Sequence, residues 1–443
     1  MKKLFTTLSN IWKIEELRVR ILYTLLILLV YRVGSFIVLP GVDPRSLEGE
    51  AKEGLLGLLN MFAGGSFSRA SIFALGVMPY ISASIVIQLL GIAVPYFQKL
   101  QKEGESGRKK TTQITRYLTI AITALQAIGY VKSQIHDNAR LIDEPLFTIS
   151  SMVVLTAGTM FVMWMGEKIT DKGIGNGISL LIMVGIIAQL PYGISAEFIS
   201  RSTGQGGLIM FFIEFVALFA VIMFTVLIIQ GTRKIPVQYA KKIVGNKQYG
   251  GVRQYIPLKL NAAGVMPIIF AQAIMFIPST IGQFFPSAQS SVLASFSDYT
   301  SLAYNLTFAI LIILFTFFYT AITINPNQMA DDMKKNGGFI PGVKPGKTTA
   351  DYIDAIISRI TLPGSVFLAI IAIMPSLAII LGINSQFAHF FGGTSLLILV
   401  AVVLDTLQQI ESYLLMRHYD GLMKTGRIKG RSDVSVASAG SAI

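Results

Sequence analysis

Ten apolar runs, set between polar loops, occupy most of the chain. They are Ile21–Pro40, Leu75–Pro95, Leu118–Val131, Leu146–Met165, Ile174–Leu190, Leu208–Gln230, Ala263–Phe285, Leu306–Ile324, Leu362–Gly382 and Ser395–Gln409. A helix needs about 20 mainly apolar residues to cross a hydrocarbon core of ~30 Å, and most of the runs approach that length. The spacing predicts ten spanning helices in an all-α polytopic membrane protein, with no further soluble domain. The first run is followed by nine more and ends without a small-residue cleavage site, so it is expected to be a retained span rather than a signal peptide.

The stretch Leu55–Phe73, LLGLLNMFAGGSFSRASIF, breaks the rhythm. It is half apolar, and too short to span once Gly64-Gly65 interrupts it. One reading is an interfacial surface helix. The other is a re-entrant piece, which is tolerated at membrane depth only when buried in protein or lining a water-filled cavity. Two polar loops are also longer than topology requires. Gly231–Leu260 has Tyr239, Tyr249 and Tyr255 among its basic residues, and Val237 and Tyr239 with polar neighbours suggest a short hairpin. Asn325–Arg359 is punctuated by Gly337-Gly338, Pro341-Gly342 and Pro345-Gly346, turns that lift Lys344 toward an exposed tip. Loops this long are commonly functional. The small, polar tail after Arg431 is expected to be disordered.

Charge orients the spans. Thirty of the 37 Lys and Arg residues fall in alternate segments, on one side of the ten runs, and six fall on the other; Arg32 lies within the first run. The positive-inside rule places the basic loops and both termini in the cytoplasm. Much of the net charge of +13 lies in these loops, where topology accounts for part of it and contact with anionic lipid, nucleic acid or an acidic protein for the rest.

A composition of 53% hydrophobic and 14% charged residues fits the membrane class. The absence of cysteine excludes disulfides, thiolate metal sites and thiol catalysis. His136, His389 and His418 lie in different segments, which disfavours a metal centre needing three or four convergent ligands. Arg32, Glu214 and Asp405 are the clear intramembrane charges, one to a span. An ion-coupled transporter with inverted repeats, the alternative functional reading, would want such groups gathered near the midplane. Gln88, Asn176, Gln408 and Gln409 are polar span residues whose default use is helix–helix hydrogen bonding. An intramembrane enzyme would need convergent nucleophile, base or metal ligands. The chain offers no catalytic dyad and no nucleotide-binding loop, so no enzymatic activity and no cofactor are expected.

Several long stretches resemble the SecY family, the central subunit of the protein-conducting Sec channel. NMFAGGSFSRASIFALGVMPYISASIVIQLL (Asn60–Leu90) resembles the family's plug and second helix, and KEGESGRKKTTQITRY (Lys102–Tyr117) its second cytoplasmic loop. GEKITDKGIGNGIS (Gly166–Ser179), IPLKLNAAG (Ile256–Gly264), INPNQMADDMKKNGGFIPGVKPG (Ile324–Gly346) and FGGTSLLI (Phe391–Ile398) follow in the family's order. The likeness runs from about Arg18 to Lys424.

The resemblance implies ten helices in two halves of five around a central pore, with a re-entrant plug half-helix at about 55–73. An odd number of spans per half makes the halves inverted. The implied organisation is a cytoplasmic segment 1–20, a first half 21–190, an external hinge loop 191–207, a second half 208–415 with cytoplasmic loops 231–260 and 325–359, and a cytoplasmic tail 416–443. Lateral opening would occur between the second and seventh spans, with Gln88 and Asn176 as polar gate positions. Carried over by position, the pore ring falls on Val77, Ile81, Ile85, Ile178, Ile182, Ile269 and Ile398, and the plug on Gly64, Gly65 and Arg69. Without the resemblance, ordinary helix packing explains these aliphatic positions equally well.

The resemblance also implies function and partners: passage of unfolded secretory polypeptides across the plasma membrane, and sideways release of transmembrane segments into lipid. The chain would bind signal sequences and nascent polypeptides and contact membrane lipids. SecE would brace it and SecG join peripherally, while the SecA motor or the ribosome would engage the cytoplasmic loops. Lys241, Arg253 and Lys259 are candidates for ribosomal RNA phosphates, and Lys344 for the same docking face. Many family members carry Arg at the position of Lys344, and Lys keeps the charge but loses the bidentate fork.

Overall fold

A computed structural model describes residues 12, 14–43, 60–135, 137–203, 207–239, 242–244, 247–249, 253–261, 263–284, 298 and 300–424. Ten helices correspond to the ten apolar runs: α1 Glu15–Gly34, α2 Met78–Ala93, α3 Glu105–Gln134, α4 Leu146–Lys172, α5 Gly177–Thr203, α6 Gly207–Gln230, α7 Met266–Phe284, α8 Leu302–Thr323, α9 Lys347–Ile380 and α10 Gly393–Lys424. Seven contain segments long and apolar enough to cross a membrane on length and composition alone, and α2 and α7 hold shorter apolar segments.

The helices have one packed face and one apolar outer face, as lipid-facing helices must. In α1 the buried positions Thr24, Ile27, Tyr31 and Gly34 follow helical spacing. Leu22, Leu25, Leu26, Leu29 and Val33 are exposed on the rest of its surface. In α6 the buried Glu214, Leu218, Thr225 and Ile228 contrast with exposed Ile209, Phe212, Val216 and Phe219.

Helices α1 to α5 pack as one group, α2 on α3, α3 on α4, α4 on α5 and α1 on α4. In the second group α7 packs on α8, α8 on α9 and α9 on α10. The groups join where α5 packs on α6 and α10. Helices α2 and α7, predicted to flank a lateral opening, pack mainly on α3 and on α8 respectively.

Several helices outrun their apolar runs. Helix α3 begins at Glu105 rather than Leu118. The ion pair Glu105–Lys109 supports its polar first turns, and the Thr111, Thr115, Thr119 and Thr123 hydroxyls each return to a carbonyl one turn back. Helix α9 begins at Lys347, so much of the predicted loop 325–359 is helical, including a separate helix Pro326–Lys335 capped by the Asn325 side chain. The segment 191–203, predicted as part of an external loop, continues α5 with Pro191 inside it. The buried pair of Glu197 with Arg201 holds this extension.

The expected hairpin forms: β1 Thr232–Tyr239 pairs antiparallel with β4 Arg253–Lys259, with Thr232 opposite Lys259. Two short strands between them, β2 Lys242–Val244 and β3 Lys247–Tyr249, pair with each other. A strand from the other long loop, β5 Gly338–Phe339, joins the free edge of β1. Ile235, Val237, Leu258, Met333, Ile340, Ile353 and Ile357 form a separate small core beneath this sheet. The two basic loops are thus one packed unit.

Candidate functional site: an aliphatic constriction and its plug

The proposed ring positions lie at the starts of helices. Val77 caps α2, with Pro79 in the first turn, where its missing N–H costs no helical bond. Ile178 and Ile182 lie on the first turns of α5. Asn176 initiates this helix by accepting from the Ser179 N–H at 3.3 Å, a capping use for a residue expected at the lateral gate. Gly177 meets the backbone of α4: a methyl group there would stand 2.0 Å from the Gly166 carbonyl oxygen. This close crossing fixes where Ile178 begins. Ile398 lies in the second turn of α10, after Gly393 turns the chain at φ +68.

Val77, Ile182 and Ile398 are buried in one apolar cluster, and Ile81, Ile178 and Ile269 pack against it half-buried. Ile85 is buried but lies outside that cluster. Six of the seven positions, from α2, α5, α7 and α10, thus belong to the main apolar core, which also takes in residues of α1, α4, α6, α8 and α9. Met61, Phe62 and Phe73 from the segment preceding α2 belong to the same cluster.

That segment is buried, which decides between the two readings of Leu55–Phe73 over the described part, from residue 60 onward. Asn60–Phe62 make a helical turn, and the chain then runs through turns to Val77. Met61 to Phe67 are all buried. Gly64 and Gly65 have φ +65 and +85, where residues with a Cβ are strained. A methyl group on Gly65 would stand 2.4 Å from Gln189 Nε2 and 2.9 Å from Arg69 Nη2. Asn60 closes the loop on itself: its carbonyl accepts from Gly65 N at 2.8 Å and its Oδ1 from Ser68 N at 3.0 Å.

Two arginines converge on the plug. Arg32 Nη1 donates to the Gly64 carbonyl at 2.8 Å and Arg69 Nη2 donates to the same oxygen at 3.0 Å. Both guanidinium groups also lie over the Phe36 ring, at 4.7 and 4.4 Å from its centroid. The segment's far side is held by Tyr130, whose hydroxyl donates to the Phe67 carbonyl at 2.6 Å. Ala70 and Ile72 make backbone bonds to Leu39 and Ile37. The sequence pointed to Gly64, Gly65 and Arg69. It gave no role to Arg32 beyond that of an isolated charge, or to Tyr130, Gly185 and Gln189.

The remaining predicted positions are dispersed. Gln88 is half-buried and its Nε2 lies 3.3 Å from Ser84 Oγ on the same helix. Arg253 and Lys259 are exposed on β4, and Lys344 is exposed at its tip, where its carbonyl accepts from Thr349 Oγ1 at 2.8 Å. Lys241 and His136 lie outside the described residues. Glu214, alone in its span, is paired to Arg201 at 2.6 Å. Among the described residues no group of His, Asp or Glu is arranged to hold a metal ion.

Comparison with known proteins agrees in sequence and fold. The SecY family model matches residues 71–407. The protein translocase subunit SecY of Streptomyces scabiei is 43% identical over 442 residues, covering 95% of this chain and 100% of its own. That of Halalkalibacterium halodurans is 44% identical over 432 residues, with the same coverage. A solved structure described as a protein conducting channel superposes with TM-score 0.65 at 18% identity, covering 93% of this chain and 95% of its own. Sec61 in the canine ribosome-channel complex from the endoplasmic reticulum superposes with TM-score 0.62 at 17% identity, with the same coverage.

Proposed function

The chain belongs to the SecY family, and from that premise we propose that it is the pore subunit of a protein translocase. It conducts unfolded polypeptides across the plasma membrane and releases transmembrane segments sideways between α2 and α7. The observation that carries this reading is the buried segment before α2, held by Arg32 and Arg69 through the Gly64 carbonyl and seated on α5 at Gly185. A narrow aliphatic collar holds no stable water column and blocks ions by dewetting. Its side chains rotate aside for a passing chain, and the plug gives the same constriction a second seal.

The transporter alternative would want its three intramembrane charges gathered in one site, whereas Asp405 is exposed on α10. Arg32 is engaged with the Gly64 carbonyl and Glu214 with Arg201. The joint sheet of the two basic loops, with exposed Arg253, Lys259 and Lys344, supports docking of the ribosome or the SecA motor on the cytoplasmic face. SecE and SecG complete the complex in this reading.

The test is conductance and transport by the chain with its partner subunits in planar bilayers and vesicles. Ile182→Asn or Ile81→Asn is expected to raise resting ion conductance while translocation of a secretory substrate persists. Unchanged resting conductance in both variants would reject the collar assignment. Transport of small solutes without transport of polypeptide would reject the channel itself.

A further inference from the structure

Three charged side chains are buried together where the two helix groups join. Glu197 and Arg201 stand one turn apart on the C-terminal part of α5, and Glu214 lies in the second turn of α6. Their side chains are 0%, 12% and 3% exposed. Arg201 donates from Nε to Glu197 Oε1 at 2.8 Å, and from Nη2 to Glu214 Oε1 at 2.6 Å and to the Gly382 carbonyl at 2.8 Å. Glu197 Oε2 accepts from the Asn384 backbone N–H at 2.8 Å. The cluster fastens both sides of the α5–α6 junction to the connection between α9 and α10.

Its charges do not balance if both carboxyls are ionised, because two carboxylates then share one guanidinium. A buried charge without a counter-charge is strongly disfavoured. The donors do not balance either. Both oxygens of Glu197 have donors, whereas Glu214 Oε2 is buried and meets none. The two carboxyls lie side by side on one edge of the Arg201 guanidinium, Glu197 Oε1 on Nε and Glu214 Oε1 on Nη2, and two carboxyl groups bond each other only through a proton. Among the described residues, Glu197 and Arg201 are the charged groups acting on Glu214. The α9–α10 connection contributes backbone groups, and His389 within it is buried and held neutral.

We propose that Glu214 is a proton-binding site, carrying a proton on Oε2 that it donates to Glu197, so that the closed cluster has no net charge. Arg201 then balances Glu197 alone, and every buried oxygen of the pair is satisfied. Loss of the proton places two like charges in contact and loosens the junction between the helix groups. The site lies at the end of α6 opposite the basic hairpin, so its proton exchanges with the face away from the basic loops.

Infrared spectroscopy of the full chain in nanodiscs at neutral pH tests this. A protonated-carboxyl C=O band is expected that shifts in D2O, disappears in Glu214→Gln and disappears also in Glu197→Gln, which leaves Glu214 as the only counter-charge of Arg201 in the cluster. In the parent, the melting temperature should fall in step with loss of the band as pH is raised, and in Glu214→Gln this fall should be absent. No such band in the parent, or a band unchanged by both substitutions, overturns the proposal. Should the variants fail to fold, the parent titration decides. A melting temperature that falls together with the band supports the proton, and one that stays level while the band is lost overturns it.

Discussion

Gly64 and Gly185 meet backbone to backbone. A methyl group on Gly64 would stand 3.0 Å from the Gly185 Cα, and one on Gly185 would stand 2.5 Å from the Phe62 carbonyl oxygen and 3.2 Å from Gly64 N. The plug therefore rests on the bare surface of α5, less than one turn beyond Ile182, a proposed collar position.

Gly185→Val is expected to unseat the plug. The obstructing atoms belong to the backbone, so no side chain can rotate away to make room. Helical φ at position 185 tolerates valine at a small local cost, and α5 itself should persist. Single-channel recording should show raised resting conductance, while the chain still assembles in the membrane. A variant with parental conductance would show that the plug accommodates the branch in place.

The Gly64 carbonyl accepts from two guanidinium groups, so each arginine should be separable in effect. Hydrogen bonds to charged groups contribute about 1.5–3 kcal/mol. Arg69→Ala is therefore expected to increase the frequency of spontaneous opening by roughly ten-fold or more, since ~1.4 kcal/mol is tenfold in an equilibrium. Arg69→Lys should recover little, because an ammonium cannot reproduce the planar stack on Phe36 together with the bond. Opening frequencies in bilayers would test this. Equal frequencies in the parent, Arg69→Ala and Arg32→Ala would mean that the plug is held by its apolar contacts alone.

On the opposite face, Lys344→Glu should block motor-driven secretion, whereas Lys344→Arg should match or exceed the parent. Lys344 is exposed, and exposed charges alter stability by only about 0–1 kcal/mol, so the melting temperature should not move. Reconstituted vesicles with SecA, ATP and a preprotein give the rate, and parental rates for Lys344→Glu and Lys344→Ala would remove the residue from the docking face. Arg253→Glu is expected to weaken ribosome binding. It should also reduce the slope of log affinity against log salt by roughly 0.7–0.9 if one phosphate contact is lost.

Burial pushes the His389 imidazole down to about 4 from its ordinary 6.5. The unfolded chain therefore binds this proton more readily than the folded one. Its contribution to stability is fully present above about pH 6.5 and declines as pH falls toward 4, by about 3 kcal/mol in total. His389→Gln should flatten the difference in melting temperature between pH 7 and pH 4.5 relative to the parent. An identical pH dependence in both chains would show that the imidazole is solvated in the folded state.

The apolar runs located all ten spanning helices because each must face lipid somewhere along its length. They located helix ends poorly wherever a helix leaves the membrane. Glu105–Tyr117 and Lys347–Thr361 are polar, and their helical state rests on local ion pairs, threonine back-bonds and packing on Met333 and Ile340. Pro191 read as a break, yet the buried Glu197–Arg201 pair carries α5 beyond it. The Gly64-Gly65 pair was visible in sequence as a turn, and its counterpart Gly185 was not. A glycine in an apolar run carries no sign of what presses against it. The convergence of Arg32 and Arg69 on one carbonyl depends on the crossing of distant segments, which periodicity does not encode.

Helix α9 is a beam with its support near the middle. Its 34 residues extend about 51 Å, well beyond a hydrocarbon core of ~30 Å. Gly364 lies halfway along it, and a methyl group there would stand 2.8 Å from the Leu260 carbonyl oxygen at the foot of the hairpin. The two arms are each roughly 25 Å at 1.5 Å per residue. A rigid lever pivoted at its middle carries a sideways displacement of one arm to the other in the opposite sense. Seven residues beyond that support the Ile371 carbonyl oxygen meets Gly392, the residue before α10, where a methyl group would stand 2.3 Å from it. Pro363 and Pro375 each leave one rung of the hydrogen-bond ladder unmade, so the beam's compliance is concentrated beside the pivot and beside the load.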